Sequence, residues 1–162
     1  MILARWARDH LRHRLGGPTA APPDGFADHG AAFVTLRWRD GSLQGCIGSL
    51  EPYRPLVDDV AYNAFAAVTR DPRGKTLALA DLDALDIEVS VLSPLEPIAS
   101  EADIRVGSDG VVIVRGPSRA TFLPTMWPRL PNLDAFMAAL HDKLGGSGAV
   151  EMFRYTVEHQ VG

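Results

Sequence analysis

The sequence contains a single cysteine, which excludes two classes of small protein. One cysteine cannot form an intrachain disulfide framework, and it cannot build a cysteine-rich zinc site. Long apolar runs are also absent, and none approaches the roughly 20 residues that a membrane-spanning helix needs. The opening MILARWARDH is too charged for the apolar region of a signal peptide, so we expect a cytoplasmic protein without membrane association.

Basic residues are outnumbered: 16 Lys and Arg against 20 Asp and Glu give a net charge of -4. Nucleic-acid binding depends on neutralising phosphates with Lys and Arg, so this balance argues against a nucleic-acid partner. The five histidines show no metal-ligand spacing, and we expect all of them to be structural or surface residues. We therefore predict neither a metal nor a cofactor.

The segment from Ala32 to Leu50 predicts a β-hairpin. Apolar and other residues alternate up to Trp38, and Asp40-Gly41 is a strong signal for a two-residue turn. Closing the hairpin there places Trp38 opposite Leu43, Leu36 opposite Gly45 and Val34 opposite Ile47. All the large apolar residues of the pair then share one face.

The other face of this hairpin receives the cysteine. The same register sets Thr35 opposite Cys46, Arg37 opposite Gln44 and Phe33 opposite Gly48. Cys46 is therefore predicted to point away from the core, between two glycines, Gly45 and Gly48, that leave room for a substrate.

Two interpretations of Cys46 remain open. A free cysteine is most often a small buried hydrophobe. Here the predicted face is polar, and Arg37 lies diagonally across, where a cation favours the thiolate. A nucleophile also needs a base. Thr35, Gln44 and Glu88 are available on this face, whereas local pairing brings no histidine to it, so a Cys-His pair requires a tertiary contact.

A helix follows from Leu56, with a second face formed by Asp59, Asn63, Ala66 and Arg70. This face is either solvated or packed over the sheet. In the second case Asn63, Arg70 and Asp71 would border the pocket of Cys46.

The remaining pattern predicts an α+β fold: a two-lobed single domain with largely antiparallel sheets and a few flanking helices. Leu85–Leu92 alternates, with Glu88 and Ser90 on its polar face, and the proline-rich segment after it suggests a seam between a larger lobe (about 1–95) and a smaller one (about 96–162). Asn132 is a good N-cap for a helix that ends at Gly145. Arg119 and Thr121 are candidates for contact with an anionic or flat ligand.

Several segments together resemble the AMMECR domain family, associated with the bacterial and archaeal AmmeMemoRadiSam system. The resemblance covers nearly the whole chain in the right order. It is carried by residues 30–36, 40–50, 55–64, 70–73, 86–93, 119–124 and 153–157, together with Trp127.

The resemblance implies a two-lobed α+β domain whose signature is the six-residue motif Leu43–Gly48. It also implies two partners, a Memo-like protein and a radical S-adenosylmethionine enzyme. This chain departs from the family pattern at Gln44, where the motif usually has arginine. It also departs at Gly74-Lys75-Thr76, and it is shortened around residues 145–150.

Two hypotheses follow. In the first, the chain is an enzyme or accessory subunit in which Cys46 is the reactive thiol, possible reactions being acyl or alkyl transfer on a small molecule. Glu88 assists catalysis, and the other candidate residues bind substrate: Thr35, Arg37, Gln44, Gly45, Gly48, Asn63, Arg70, Asp71, Ser90, Arg119 and Thr121. In the second, the chain is a non-catalytic module that docks onto the Memo-like partner.

Overall fold

The computed structural model describes all residues from Met1 to Gly162. Antiparallel sheets flanked by a few helices confirm the predicted α+β class. The chain divides into two compact units, Met1–Leu92 with Glu158–Gly162, and Ser93–Val157. The sequence-based division had placed Glu158–Gly162 in the smaller lobe, but this segment belongs to the first unit.

The elements are numbered in chain order. The helices are α1 (Ile2–Arg14), α2 (Leu56–Thr69) and α3 (Leu133–Leu144). None of them combines the length and apolar character that crossing a membrane requires. The strands are β1 (His29–Trp38), β2 (Leu43–Gly48), β3 (Arg54–Pro55), β4 (Leu85–Leu92), β5 (Glu96–Ile98), β6 (Gly110–Arg115), β7 (Ser118–Phe122), β8 (Glu151–Tyr155) and β9 (Val157–Val161).

The first unit contains a sheet of order β2-β1-β4-β9, with the short β3 paired to β1. Its strands alternate, and one face turns its aliphatic side chains toward α1 and α2 to form the core. Val34, Leu36, Ile87 and Val89 of this face have no solvent exposure. We call the opposite side, which carries Cys46, the polar face.

The hairpin register is confirmed in its inner part and wrong at its turn. Thr35 pairs with Cys46 and Leu36 with Gly45, but Arg37 pairs with Leu43, because the register shifts between Leu36 and Arg37. Residues 38–41 form the turn: the Gly41 N–H donates to the Trp38 carbonyl, and Gly41 has a φ of 85°. The turn is thus longer than two residues, and Gln44 becomes the extra residue of a bulge.

Two sets of hydrogen bonds hold the C-terminal strand β9 to the first sheet: backbone bonds with β4 and side-chain bonds from α1. Ile87 and Gly162 exchange both backbone hydrogen bonds. The Arg8 guanidinium, from α1, donates to the carbonyls of Leu82, Leu85 and Gly162. In addition, the side-chain oxygen of Gln160 accepts from the backbone nitrogens of Met1 and Leu3 and so caps α1.

The second unit contains a sheet of order β5-β8-β6-β7 with α3. Its core is built around Trp127 and Phe136, whose rings stack with centroids 3.8 Å apart. The predicted cap of α3 is confirmed, since the Asn132 side chain accepts from Asp134 N and Ala135 N.

Candidate functional site

The polar face brings together Cys46 of β2, Thr35 of β1 and Glu88 of β4. Thr35 pairs with Cys46 on one side and with Glu88 on the other, so the three residues form one row across the sheet. The Thr35 hydroxyl, which is almost fully buried, donates to the Cys46 sulfur at 3.2 Å. Cys46 itself is half-buried.

Burial raises the pKa of the Cys46 thiol above its ordinary value. The Thr35 hydrogen bond and the positive charges of Arg73 and Arg37 act in the opposite direction, while Asp71 adds to the rise. Arg37 therefore favours the thiolate as the sequence suggested, but the pKa is still raised, because the cost of desolvating a thiolate outweighs this attraction. The raised pKa favours the thiol over the thiolate at neutral pH.

Glu88 is part of a second hydrogen-bonded group that extends onto β9. Its Oε1 lies 3.0 Å from His159 Nδ1 and 3.2 Å from the Ser90 hydroxyl, which is itself 3.1 Å from the same Nδ1. Ser90 is buried, whereas the His159 side chain is 37% exposed and that of Glu88 is 32% exposed. A carboxylate and a histidine ring thus meet where water and small molecules can reach them.

Sequence reasoning missed His159 because it depended on local pairing. The alternation of Glu151 to Val157 predicts a final strand, but nothing in the pattern pairs the residues beyond it with β4. Extending the register from the Ile87–Gly162 pair sets His159 opposite Ser90, which is the next residue after Glu88 on the same face of β4. The alternation of Val157, His159 and Val161 was the available signal.

The polar face contains no Cys-His pair. Strands β1 and β4 lie between β2 and β9, so three strand spacings of about 4.8 Å, roughly 14 Å in all, separate the backbones of Cys46 and His159. No group of three or more His, Cys, Asp or Glu side chains is arranged to hold a metal ion.

The two glycines of the motif serve packing, which corrects the prediction that they leave room for substrate. A Cβ on Gly45 would collide with the backbone carbonyl of Ala67, at the C-terminal end of α2. A Cβ on Gly48 would collide with the Phe33 ring, which occupies that space on the polar face. Neighbouring parts of this chain therefore already fill both positions.

Gln44 does not line the pocket of Cys46, contrary to the prediction. As the bulge residue it is fully buried: its Oε1 accepts from the Trp38 indole at 3.0 Å, and its Nε2 donates to the Lys75 carbonyl at 2.7 Å. Its amide thus joins the hairpin to the segment after α2. The cations that act on Cys46 are Arg73 and Arg37.

The candidate site residues predicted from α2 lie in different parts of the first unit. Asn63 is buried between α2 and the sheet, where it donates to the Ala32 carbonyl and to Asp59, and it therefore lies on the side opposite Cys46. Arg70 is exposed and bonds to the Tyr62 hydroxyl. Neither borders the thiol, because α2 packs on the aliphatic face of the sheet.

The Asp71 side chain contacts the motif at the backbone amide of Cys46. Its Oδ2 accepts from the Cys46 amide at 2.9 Å, and both carboxylate oxygens accept from the Arg73 guanidinium. These bonds hold the pKa of Asp71 well below its usual range, with the Arg73 hydrogen bonds as the largest cause. The ionised Asp71 carboxylate therefore holds the edge strand β2 in place.

Arg119 and Thr121 lie on β7 in the second unit. The Thr121 hydroxyl is bonded to the Val111 carbonyl and to the Tyr155 hydroxyl, and Trp127 is a core residue, so both have structural roles. Arg119 is exposed.

Known proteins resemble this chain over most of its length. It is 34% identical over 148 residues to a Thermotoga maritima protein, covering 86% of this chain and 82% of that protein. A Methanothermobacter thermautotrophicus protein is 45% identical over 108 residues, which are 63% of this chain and 56% of that relative.

A solved structure shares the fold. The crystal structure of protein PH0010 from Pyrococcus horikoshii superposes with a TM-score of 0.88 at 28% sequence identity, covering 98% of this chain and 89% of that one. The family model AMMECR1 matches residues 4–160. Since this match spans nearly all of the 162 residues, the chain belongs to the AMMECR1 family.

Proposed function

We propose that the chain is an enzyme, or a component of one, that transfers protons at His159 on the polar face of the first sheet. The observation that carries the proposal is the contact of the Glu88 carboxylate with His159 Nδ1 at 3.0 Å. A carboxylate at Nδ1 fixes the ring orientation and the tautomer, which leaves Nε2 as the proton acceptor. The partial exposure of the ring supports access by a substrate.

The chemistry needs one proton-carrying substrate. Nε2 takes a proton from an O–H, N–H or acidic C–H group, the ring becomes imidazolium, and the negative charge of Glu88 stabilises that cation. The same nitrogen then returns the proton to the product. A positioned base of this kind contributes about 10²- to 10⁴-fold in rate.

Cys46 is the second reacting group in this proposal. In an acyl or alkyl transfer its sulfur would bond to an electrophilic carbon, the leaving group would depart with the bonding electrons, and the thiol proton would go to solvent or to that leaving group. Because Cys46 and His159 lie about 14 Å apart at the backbone, His159 would act on the substrate and not on the thiol. The raised thiol pKa means that attack awaits a bound substrate or partner.

The proposal includes partners. Membership of the AMMECR1 family supports work alongside a Memo-like protein and a radical S-adenosylmethionine enzyme, with a small molecule as substrate. On this view the chain supplies proton transfer, or a thiol, to a reaction that its partners share.

The test is substrate profiling with purified protein. The chain, alone and with the Memo-like and radical S-adenosylmethionine proteins encoded by the same genome, is incubated with the low-mass fraction of a cell extract, and masses are followed over time. We expect wild-type protein to convert at least one compound, and His159→Gln and Glu88→Gln to lower its rate by 10²-fold or more. Cys46→Ser in the same assay tests the thiol.

The matched control is His13→Gln, which changes an exposed histidine on α1. It should convert the compound at the wild-type rate. Equal rates for His159→Gln and wild type would defeat the proton-transfer proposal, and full activity of Cys46→Ser would remove the thiol from it.

A second candidate is a non-catalytic module that docks onto the Memo-like partner. It is favoured by the packing of Gly45 and Gly48 against Ala67 and Phe33, and by the raised pKa of Cys46, which are features of a structural motif. A pull-down with the Memo-like protein separates the two. The module predicts stable capture, no conversion of any compound, and capture unchanged by His159→Gln or Cys46→Ser.

A further inference from the structure

The outer side of α2 carries a concentration of arginine and aromatic side chains that the proposed site does not use. We call it the arginine–aromatic surface. Its members come from the end of α1, from β3 and from α2, all within the first unit. They are Arg14, Arg54, Tyr62, Phe65 and Arg70.

The arginines of this surface lie against the rings. The Arg14 guanidinium carbon is 3.7 Å from the centre of the Phe65 ring, and those of Arg54 and Arg70 are 4.2 and 5.3 Å from the centre of the Tyr62 ring. Arg70 also bonds to the Tyr62 hydroxyl. These contacts restrict the arginine side chains, and the guanidinium N–H groups that are not used in them can donate to an anion.

Two of the positive charges have no acidic partner. Arg54 is 3.3 Å from the buried carboxylate of Asp59, but neither Arg14 nor Arg70 forms an ion pair. Both are exposed in a chain whose net charge is -4. The local charge is thus opposite in sign to that of the whole molecule, which favours an anionic partner.

A small depression lies between these two arginines. Its volume is about 80 Å³, and it is lined by Arg14, Tyr62, Phe65, Ala66, Thr69 and Arg70. Pockets for small molecules have volumes of about 300–1,000 Å³, so the depression is too small for a substrate of metabolite size and is suited to a group as small as one carboxylate.

Helix geometry alone does not account for this arrangement. Arg14 is the last residue of α1 and Arg70 follows the last residue of α2, positions at which a cation interacts favourably with the helix dipole. A lysine would do the same. Contact with an aromatic ring is more common for a guanidinium than for an ammonium group, and the guanidinium also matches the two oxygens of a carboxylate.

We propose that the arginine–aromatic surface docks an acidic peptide segment of a partner protein, with one Glu or Asp side chain in the depression between Arg14 and Arg70. Nucleic acid is disfavoured as the occupant because the surface offers two unpaired cations on an acidic chain, and a phosphate backbone requires a longer basic stripe. This inference does not depend on the proton-transfer site.

The experiment is an NMR titration of ¹⁵N-labelled full-length protein with a hexaglutamate peptide, with hexaglutamine as the uncharged control. Hexaglutamate should shift the amides of residues 62–70 and the Nε–H signals of Arg14 and Arg70, and hexaglutamine should not. Arg14→Lys and Arg70→Lys keep the charge but lose the planar guanidinium and its paired N–H donors, so each should weaken binding about tenfold. Arg129→Lys, at an exposed arginine of the second unit, should bind like wild type.

Each outcome of this titration either supports or overturns the docking proposal. No shifts at millimolar hexaglutamate, shifts centred elsewhere, or equal affinity of Arg14→Lys, Arg70→Lys and wild type would overturn the proposal. Tighter binding of a single-stranded oligonucleotide than of hexaglutamate at the same signals would replace the peptide with nucleic acid. Shifts that diminish with added salt and follow the order of the variants support it.

Discussion

At the residue level, the polar face of the first sheet combines a half-buried thiol with a solvent-accessible carboxylate–imidazole pair. Cys46 is a thiol that accepts a hydrogen bond from Thr35, and burial is the main cause of its raised pKa. Glu88 and His159 form a hydrogen-bonded carboxylate–imidazole pair that solvent reaches. The half-exposed imidazole is the more accessible group for proton transfer in the resting protein.

The raised pKa predicts slow alkylation of Cys46. At a given pH a thiol with a higher pKa has a smaller thiolate fraction, and only the thiolate reacts with iodoacetamide. The native protein should therefore react more slowly at pH 8 than the same protein in urea, with its apparent pKa above that of a free thiol. Mass spectrometry of the labelled fraction over a pH series measures this.

The Thr35→Val variant provides a second test by alkylation. Loss of the hydroxyl donor removes an interaction that lowers the thiol pKa, so the apparent pKa should rise further. Native and unfolded protein reacting at one rate would show that the thiol is neither buried nor perturbed.

The two motif glycines should differ in their tolerance of alanine. In Gly45→Ala the new Cβ meets the backbone of α2, which cannot move without shifting the helix. In Gly48→Ala it meets the base of the half-buried Phe33 ring, a side chain that can shift by rotation about its Cα–Cβ bond without moving a helix. We expect losses in the free energy of unfolding of about 3 kcal/mol and about 1 kcal/mol, respectively, measured by urea denaturation.

Phe33→Ala is the control for this pair. Loss of Cγ and the ring should recover much of the loss in Gly48→Ala and none of that in Gly45→Ala. Equal losses in both alanine variants would contradict the assignment of one glycine to the helix backbone and the other to a ring.

At the level of elements, the position of His159 depends on the docking of β9. Arg8 of α1 donates to the carbonyls of Leu82, Leu85 and Gly162. It thereby joins α1 both to the start of β4 and to the residue that follows β9. We expect Arg8→Ala to speed amide hydrogen exchange at residues 157–161 about tenfold or more, with little effect on β6.

Arg5→Ala is the matched control for Arg8→Ala. Arg5 lies on the same helix with a largely exposed side chain and only a weak pairing with Asp9. In Arg5→Ala the amide hydrogen exchange rates of β9 should equal those of the wild type. Unchanged rates in Arg8→Ala would mean that the backbone pairing alone holds the strand.

Asp71 links the segment after α2 to the edge strand β2, and its charge makes that link pH-dependent. The pKa of folded Asp71 lies below the ordinary 3.8, so the ionised group contributes stability above that value, and the contribution is lost as pH falls toward the folded pKa. Asp71→Asn should cost about 1–2 kcal/mol near neutral pH. Unfolding curves should converge with the wild type below about pH 4.

Arg73→Ala is the partner variant, because Arg73 is the largest cause of the lowered pKa. It should reduce the same low-pH dependence. A stability difference between wild type and Asp71→Asn that stays constant from pH 7 to pH 3 would contradict an ionised Asp71.

Most elements follow from sequence periodicity. Leu85–Leu92, the helix after Pro55 and the helix capped by Asn132 appear where alternation, capping residues and breakers predict them. The turn of the first hairpin does not, because a bulge changes the pairing by one residue without changing the alternation. That single residue moves Gln44 from the polar face into a buried contact with Trp38.

At the level of the whole molecule, the site depends on a contact between distant parts of the sequence. Thr35 and Cys46 are 11 positions apart and were paired from the hairpin pattern, whereas Glu88 and His159 are 71 positions apart. A pairing over that distance is fixed by the tertiary fold, here by Ile87, Gly162 and Arg8. Periodicity alone contains no information on which strands become neighbours.

The first unit thus carries two separate surfaces with different chemistry. The polar face offers an acid–base pair and a thiol, and the arginine–aromatic surface on α2 offers unpaired guanidinium groups. An enzyme component that works with a protein partner needs both a reacting site and a docking site. This combination is the basis of the functional account.

The central claim is that Glu88 holds the His159 ring with Nδ1 protonated and the Nε2 lone pair open to a substrate. Long-range ¹H–¹⁵N NMR at alkaline pH, where imidazole is neutral, reads the tautomer directly. The account predicts the Nδ1–H tautomer in the wild type and its partial loss in Glu88→Gln. The Nε2–H tautomer in the wild type, or an identical spectrum in Glu88→Gln, would contradict it.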